Sequence, residues 1–390
     1  MTRSAQSRVA MLALLHPAMA LTGVGCAITG ALLPALARSF HLNDGQSGLL
    51  VFWIYAGMTA GALLCRGNYA RIIAAGFVAL AAAALGLGFA PVLPLMPLGF
   101  VYGAAISLPM TSINLFAGRN FPARRAATLT ALNFSWSLGA TLGPLMAARL
   151  LELLSWRAVY EAVAAAAVAA AAAAQLVLRD SEEMARLTPE TEGLRNLRLI
   201  VLFALFFFLQ VGMECTAGAW ASTYVLRVTT TTVALAAAAS SIFWGGVLAS
   251  RALAPLVLLR VRPARLLQAC MLAAIAAAAI VVAVRSAIPL LAAILLLGLA
   301  LAPVFPVALA GFFDRARRSS DSRFVLALSA FGGAVFPWLA GAISTHAGSL
   351  RIGLLTLPVT LLTMTAMLPL LGVAGRASAT VELREHEVTP

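Results

Sequence analysis

Residues 199–223 read LIVLFALFFFLQVGMECTAGAWAST, and Glu214 is the one charged side chain among them. A helix rises about 1.5 Å per residue, so this segment is long enough to cross a hydrocarbon core about 30 Å thick. Backbone N–H and C=O groups find no water inside a bilayer, and a helix pairs them within one segment. The stretch therefore predicts a membrane-spanning helix that carries a carboxyl group near its middle.

Similar apolar runs recur along the whole chain. Of its 390 residues 62% are hydrophobic and 11% are charged, whereas a soluble domain has about 25% charged residues. The mean hydropathy is +0.96. We therefore expect an all-α membrane protein. The predicted spans are residues 10–36, 46–65, 72–90, 94–117, 127–153, 157–178, 199–223, 231–259, 266–284, 287–312, 324–345 and 352–374, twelve in all.

The net charge of +13 is explained by topology rather than by a nucleic-acid partner. All 27 basic residues are arginine, and most fall on alternate loops and at the termini. Basic loops stay in the cytoplasm, which predicts cytoplasmic termini and a multi-pass protein of the bacterial inner (plasma) membrane. The arginines left on the outer side are Arg38, Arg157, Arg227, Arg285 and Arg351.

The sequence shows no pattern typical of an enzyme or a metal site. It contains no phosphate-binding G-x-x-x-x-G-K-[ST] motif and no tight Ser/His/Asp or Cys/His cluster. We expect no enzyme activity, no cofactor and no metal, with a membrane-embedded enzyme as a minor alternative. The cysteines fall in or at the ends of apolar spans, without the spacing of a disulfide or metal pair, at Cys26, Cys65, Cys215 and Cys270.

The two sides of the chain repeat each other. The pattern R-x-x-x-A-R of residues 66–71 recurs at 260–265, and Pro109 recurs as Pro303, each 194 positions later. Matches in one register at equivalent helices indicate an internal duplication. Two similar bundles that rock against each other can expose a site at the membrane midplane to each side alternately. This arrangement is typical of a carrier.

The repeat defines the expected domains. The polar residues 179–198 form a predicted cytoplasmic linker between a six-helix bundle at 1–178 and a second at 199–374. Residues 375–390 form a cytoplasmic tail. We expect a monomer in the lipid bilayer, with a small-molecule solute as its partner.

Two motifs carry a resemblance to a known family. Residues 61–66, GALLCR, follow the second span, and residues 139–144, GATLGP, lie in the fifth. Together with the repeat and the linker they resemble the major facilitator superfamily, whose members are transporters. The first is similar to the G-x-x-x-D-R loop of that family, although Cys65 stands where the family has Asp. The second matches the G-x-x-x-G-P core of an antiporter motif.

Three further segments resemble the fucose permease and related sugar transporters. They are residues 211–224, VGMECTAGAWASTY, then 244–251, WGGVLASR, and 302–306, APVFP. The resemblance implies a secondary active or facilitative transporter of a small polar solute, with a sugar favoured. It also implies proton symport, but Met110 replaces the acidic residue of the fourth helix and the first span has no acid. Uniport, symport coupled through Glu214 and coupling to another ion all remain open.

Other interpretations come from the same residues. The G-x-x-x-G-P core supports a proton-coupled exporter of small organic or amphipathic compounds. A membrane sensor or scaffold built on a carrier fold is a third interpretation.

Candidate solute-binding residues are polar or aromatic groups at membrane depth. An ionisable residue near the centre of a span costs about 2.5 to 3.5 kcal/mol on insertion scales, so each is a functional candidate. Carboxyl and amide groups match hydroxyls, and aromatic faces match the C–H surface of a sugar. Packing is the competing explanation for each aromatic residue. The candidates are Glu214, Gln210, Asn133, Trp136, Trp244, Asn114, Tyr55, Tyr102 and Trp338.

Candidate coupling or gating residues are ionisable. His16 can take a proton near physiological pH, and Arg251 lies in the cytoplasmic half of its span. A packing histidine and a snorkelling arginine are the structural alternatives. The full set is Glu214, Arg251, His16, Arg66, Arg124, Arg125, Arg317 and Arg318.

Overall fold

The protein is all helical in the residues that the computed structural model describes, which are 3–89, 94–121, 125–178, 197–313 and 319–371. The all-α prediction is thus confirmed for this part of the chain. The helices are α1 (Arg3–Ser39), α2 (Asp44–Leu64), α3 (Tyr69–Phe89), α4 (Leu95–Asn120), α5 (Arg125–Leu153), α6 (Trp156–Leu178), α7 (Leu197–Val228), α8 (Val233–Leu258), α9 (Pro263–Ala283), α10 (Ala287–Leu301), α11 (Val304–Phe313), α12 (Ser319–Ala347), α13 (Leu350–Gly353) and α14 (Thr356–Leu371).

Two of the predicted spans are interrupted. The tenth is divided into α10 and α11 at residues 302–303, where Pro303 lacks the N–H group that would continue the helix. The twelfth is divided into α13 and α14. Inside a membrane such a break leaves backbone carbonyls that need another donor. Gln210 supplies one, because its Nε2 donates to the carbonyl of Leu301 at 3.0 Å.

Within the described ranges, eleven helices are long and apolar enough to cross a membrane, against twelve predicted spans. The helix that falls short is α5, although it has 29 residues. Its middle carries Asn133, Ser135, Ser137 and Thr141, which lower its hydropathy. A helix with this polar content is suited to face other helices or a polar cavity rather than lipid.

Buried hydrophobic residues form two clusters. One draws almost wholly on α1 to α6, here called the N-terminal half, and the other on α7 to α14, the C-terminal half. Within each half, glycines let helix backbones touch. A Cβ atom on Gly139 would lie 1.8 Å from the carbonyl oxygen of Ala20, and one on Gly332 would lie 2.0 Å from that of Phe208. Gly139 and Gly143 of the G-x-x-x-G-P core therefore pack α5 against α1.

The two halves meet closely at one end of the bundle, where α1 and α7 end and α2 begins. We call it the Asp44 end, and the opposite one, where α2 ends, the Arg66 end. Toward the Asp44 end, a Cβ atom on Gly30 would lie 2.3 Å from the carbonyl oxygen of Gly218. A Cβ atom on Gly48 would lie 2.9 Å from the carbonyl oxygen of Pro337. Toward the Arg66 end, the first turns of α5 carry exposed residues, at Ala127, Thr130, Ala131 and Asn133.

Candidate functional site

The centre of the candidate site is an ion pair deep in the bundle. Glu214 lies near the middle of α7, and Arg251 lies two turns inside the end of α8. Arg251 Nη2 is 3.4 Å from Glu214 Oε1, so the two side chains form a direct but long contact. The Glu214 side chain is 12% exposed and that of Arg251 is 28% exposed. The pair is therefore largely, though not completely, buried.

The N-terminal half supplies contacts to the same arginine. Arg251 Nη1 donates to Ser137 Oγ of α5 at 2.8 Å. The carbon atom of the guanidinium lies 5.8 Å from the ring centre of Trp136, one position earlier. Trp136 packs against both hydrophobic clusters and meets Trp244 of α8 edge to face, with ring centres 5.5 Å apart. Charged, hydroxyl and aromatic groups from both halves thus meet at one place.

His16 joins α1 to the polar face of α5. Its Nδ1 lies 2.7 Å from Ser135 Oγ, and the imidazole is half-buried. Asn133, one turn before Ser137, is exposed and donates only to the carbonyl of Leu129 in its own helix. The amide is thus oriented by its own backbone and remains accessible.

A narrow cavity lies between the halves on the Asp44 side of the ion pair. Its walls come from α1, α2, α7 and α8. Thr29 lines the cavity and is 3% exposed. Its hydroxyl has no hydrogen-bond partner among the described residues. The lining residues are Cys26, Ala27, Thr29, Gly30, Val51, Tyr55, Gly218, Ala219 and Trp244.

Two of the residues selected from the sequence lie wholly inside one half. Gln210 is fully buried and bonds the carbonyl at the end of α10. Tyr102 is fully buried, and its hydroxyl donates to the carbonyl of Gly25 at 3.0 Å. Both side chains hold backbone groups in place, but Gln210 Oε1 is buried and has no hydrogen-bond partner among the described residues.

Others lie away from the ion pair. Asn114 is half-buried and donates to the carbonyl of Met110, and Trp338 is 39% exposed beside Phe52. Arg66 is exposed at its end of the bundle. The remaining loop arginines are not placed, because Arg124, Arg317 and Arg318 lie outside the described residues and only the backbone of Arg125, the first residue of α5, is described.

Sequence reasoning missed the serines of the site and a second ion pair. Ser135 and Ser137 flank Trp136 in a predicted span that also carries Asn133 and Thr141, and this unusual run of polar residues was the available signal. At the Asp44 end, the two terminal guanidinium nitrogens of Arg227 in α7, Nη1 and Nη2, donate to Asp44 of α2. Ser344 of α12 donates to the same carboxylate. Asp44 and Arg227 are separated by 183 positions, and no local pattern marks their pairing.

Comparisons with known proteins agree with this architecture. The family model described as Major Facilitator Superfamily matches residues 15–323, which is most of the chain. The chain belongs to the Major Facilitator Superfamily. The members of that family are transporters rather than enzymes, sit in the lipid bilayer and bind small-molecule solutes. No curated protein gives a significant match to the sequence.

Solved structures share the fold at low identity. A bacterial homologue of the human lysosomal transporter Spinster, inward-facing and occupied, is 16% identical, with a TM-score of 0.74 over 95% of this chain and 98% of that one. A D-xylose–proton symporter is 14% identical, with a TM-score of 0.72 over 91% and 97%. The transporter FucP in the outward conformation is 17% identical, with a TM-score of 0.60 over 92% and 98%. Likeness at this level shows the fold alone.

Proposed function

We propose that this protein is a secondary transporter that moves a small polar solute across the bacterial inner membrane by alternating access. The observation that carries the proposal is the position of Glu214 and Arg251, buried in the bundle and contacted by Ser137 from the other half. Charged groups at this depth are costly to insert into a membrane, so their presence indicates a function. A site formed by residues of both halves changes its geometry when the halves move.

The proposed orientation places the Arg66 end in the cytoplasm, together with both termini. Under this orientation the close contacts between the halves lie on the outer side, and the exposed first turns of α5 lie on the cytoplasmic side. We count α5 as a twelfth membrane helix, because its polar residues contact His16 and Arg251 inside the bundle rather than facing lipid.

The solute is proposed as a chemical class, and the coupling ion is proposed through the residue that would bind it. One structural neighbour is a D-xylose–proton symporter, which supports a sugar as one class of solute. An exporter of amphipathic compounds gains no support from the G-x-x-x-G-P core, because its glycines serve the packing of α5 on α1. Glu214 is the candidate for a coupling proton, since its protonation would release Arg251.

Uptake into proteoliposomes tests the proposal. Purified protein is reconstituted, and uptake of labelled solutes is measured with and without an imposed pH gradient. We expect saturable uptake of at least one polar solute, reduced about 100-fold by Glu214→Gln, because the variant lacks the charged acceptor at the centre of the proposed site. The matched control is Glu161→Gln, an exposed carboxyl group in α6. Absence of flux for every solute and gradient would reject transport.

A further inference from the structure

We propose that the solute is a zwitterion, a small molecule whose carboxylate engages Arg251 while its ammonium group engages Glu214. This inference rests on the proposed transport function and names the substrate class of the same site.

Among the described residues, the contact between Glu214 and Arg251 uses little of the hydrogen-bonding capacity of the two side chains. This contact measures 3.4 Å, at the long limit of a hydrogen bond. A guanidinium offers five N–H donors and a carboxylate two acceptor oxygens, and charge-assisted bonds are normally shorter than 3 Å. Arg227 and Asp44 show the saturated alternative, with two short parallel bonds. A ligand can therefore bind between Glu214 and Arg251 without breaking a strong contact.

The balance of charge decides which ligand can do so. A molecule with only a carboxylate would take Arg251 and leave an ionised Glu214 buried without a counter-charge, and a simple amine would leave Arg251 in that position. A neutral sugar would have to bind beside the pair and would gain fewer charge-assisted bonds. A zwitterion gives each buried charge a new partner and adds no net charge.

The hydrogen-bonding groups around the pair suit the two ends of a zwitterion. The indole Nε1 of Trp136 is buried and has no acceptor among the described residues, although its ring lies beside the guanidinium. An indole N–H is a donor only, so it suits a carboxylate oxygen. Arg251 and Trp136 thus supply donors, and Glu214 supplies acceptors. The rings of Trp136 and Trp244 form an apolar wall for the rest of the molecule.

Binding of matched analogues to the purified full-length protein tests this inference. The probes are the twenty standard amino acids, each with its deaminated and its decarboxylated analogue, and D-xylose; binding is measured by titration calorimetry. We expect at least one amino acid to bind about 100-fold more tightly than either of its single-charge analogues. D-xylose should not compete with it.

Two variants locate the preference at the proposed groups. Glu214→Gln should reduce the preference over the deaminated analogue to under about tenfold, and Arg251→Gln should do the same for the decarboxylated one. Ratios within one variant are independent of a partial loss of folded protein. Glu161→Gln should leave both ratios unchanged.

The possible failures are distinguishable. Saturable D-xylose transport without binding of any zwitterion, or a Glu214→Gln variant with unchanged ratios, would overturn the inference and leave the proposed transport function standing. Absence of any solute flux in proteoliposomes would overturn both.

Discussion

Helix α7 takes part in two ion pairs that differ in almost every physical respect. At its end, Arg227 meets Asp44 through two short bonds, and Ser344 adds a third to the same carboxylate. Near its middle, Glu214 meets Arg251 through one contact of 3.4 Å. The first pair joins helices of different halves, whereas the second joins α7 to α8 within one half.

The difference in geometry suits the two ion pairs to different roles. A bidentate pair fixes both position and angle, so the Asp44 pair is suited to keep the halves closed at its end. A long single contact fixes little and leaves both charges ready for other partners. The two pairs thus assign closure to one end of α7 and recognition of the solute to its middle.

The close approach of backbones at the Asp44 end gives the largest expected effect. In Gly30→Ala the new Cβ would lie 2.3 Å from the carbonyl oxygen of Gly218, so α1 and α7 must separate. We expect transport to fall at least about tenfold, as a displacement of a few tenths of an ångström in a packed interface is poorly tolerated. We also expect Cys26, which lines the adjacent cavity, to react faster with a membrane-impermeant thiol reagent added outside.

Gly245→Ala is the matched control for this experiment. Gly245 lies on α8 facing α5 of the other half, but its Cβ would meet Thr141 at an ordinary 3.6 Å. Transport and labelling should stay close to those of the unchanged protein. If both alanine variants behaved alike, closure at the Asp44 end would not depend on backbone contact.

Double-mutant cycles compare the two ion pairs directly. We expect a coupling free energy of about 2 kcal/mol between Asp44→Asn and Arg227→Gln for unfolding in mixed micelles, since bonds between charged groups are each worth about 1.5 to 3 kcal/mol. For Glu214→Gln and Arg251→Gln we expect less than about 1 kcal/mol, because their contact is long. The exposed pair of Arg149 and Glu152 serves as the reference for a surface salt bridge. Equal couplings for the Asp44 pair and the Glu214 pair would remove the distinction between them.

The fold could be predicted from the sequence because membrane spans are a one-dimensional signal. Glu214 was recognisable for the same reason, as a single charge in an apolar run. The partner of a side chain depends on packing, which is not local. Tyr55 and Tyr102 both lie in apolar spans, yet the first lines the cavity between the halves and the second is sealed inside one of them. Arg227 was predicted as one outer charge among several, because nothing near it in sequence indicates Asp44.

The smallest expected effect concerns the third bond to Asp44. Ser344→Ala removes one hydroxyl donor but keeps both bonds from Arg227, so we expect a loss of about 1 kcal/mol in the free energy of unfolding. Labelling of Cys26 from outside should rise only a few-fold, because the arginine still holds the two halves together. The control is Ser39→Ala, an exposed serine at the last position of α1. A loss as large as that of Asp44→Asn would mean that Ser344 orients the carboxylate for Arg227, and that the strength of this pair depends on its hydroxyl support rather than on its two charges.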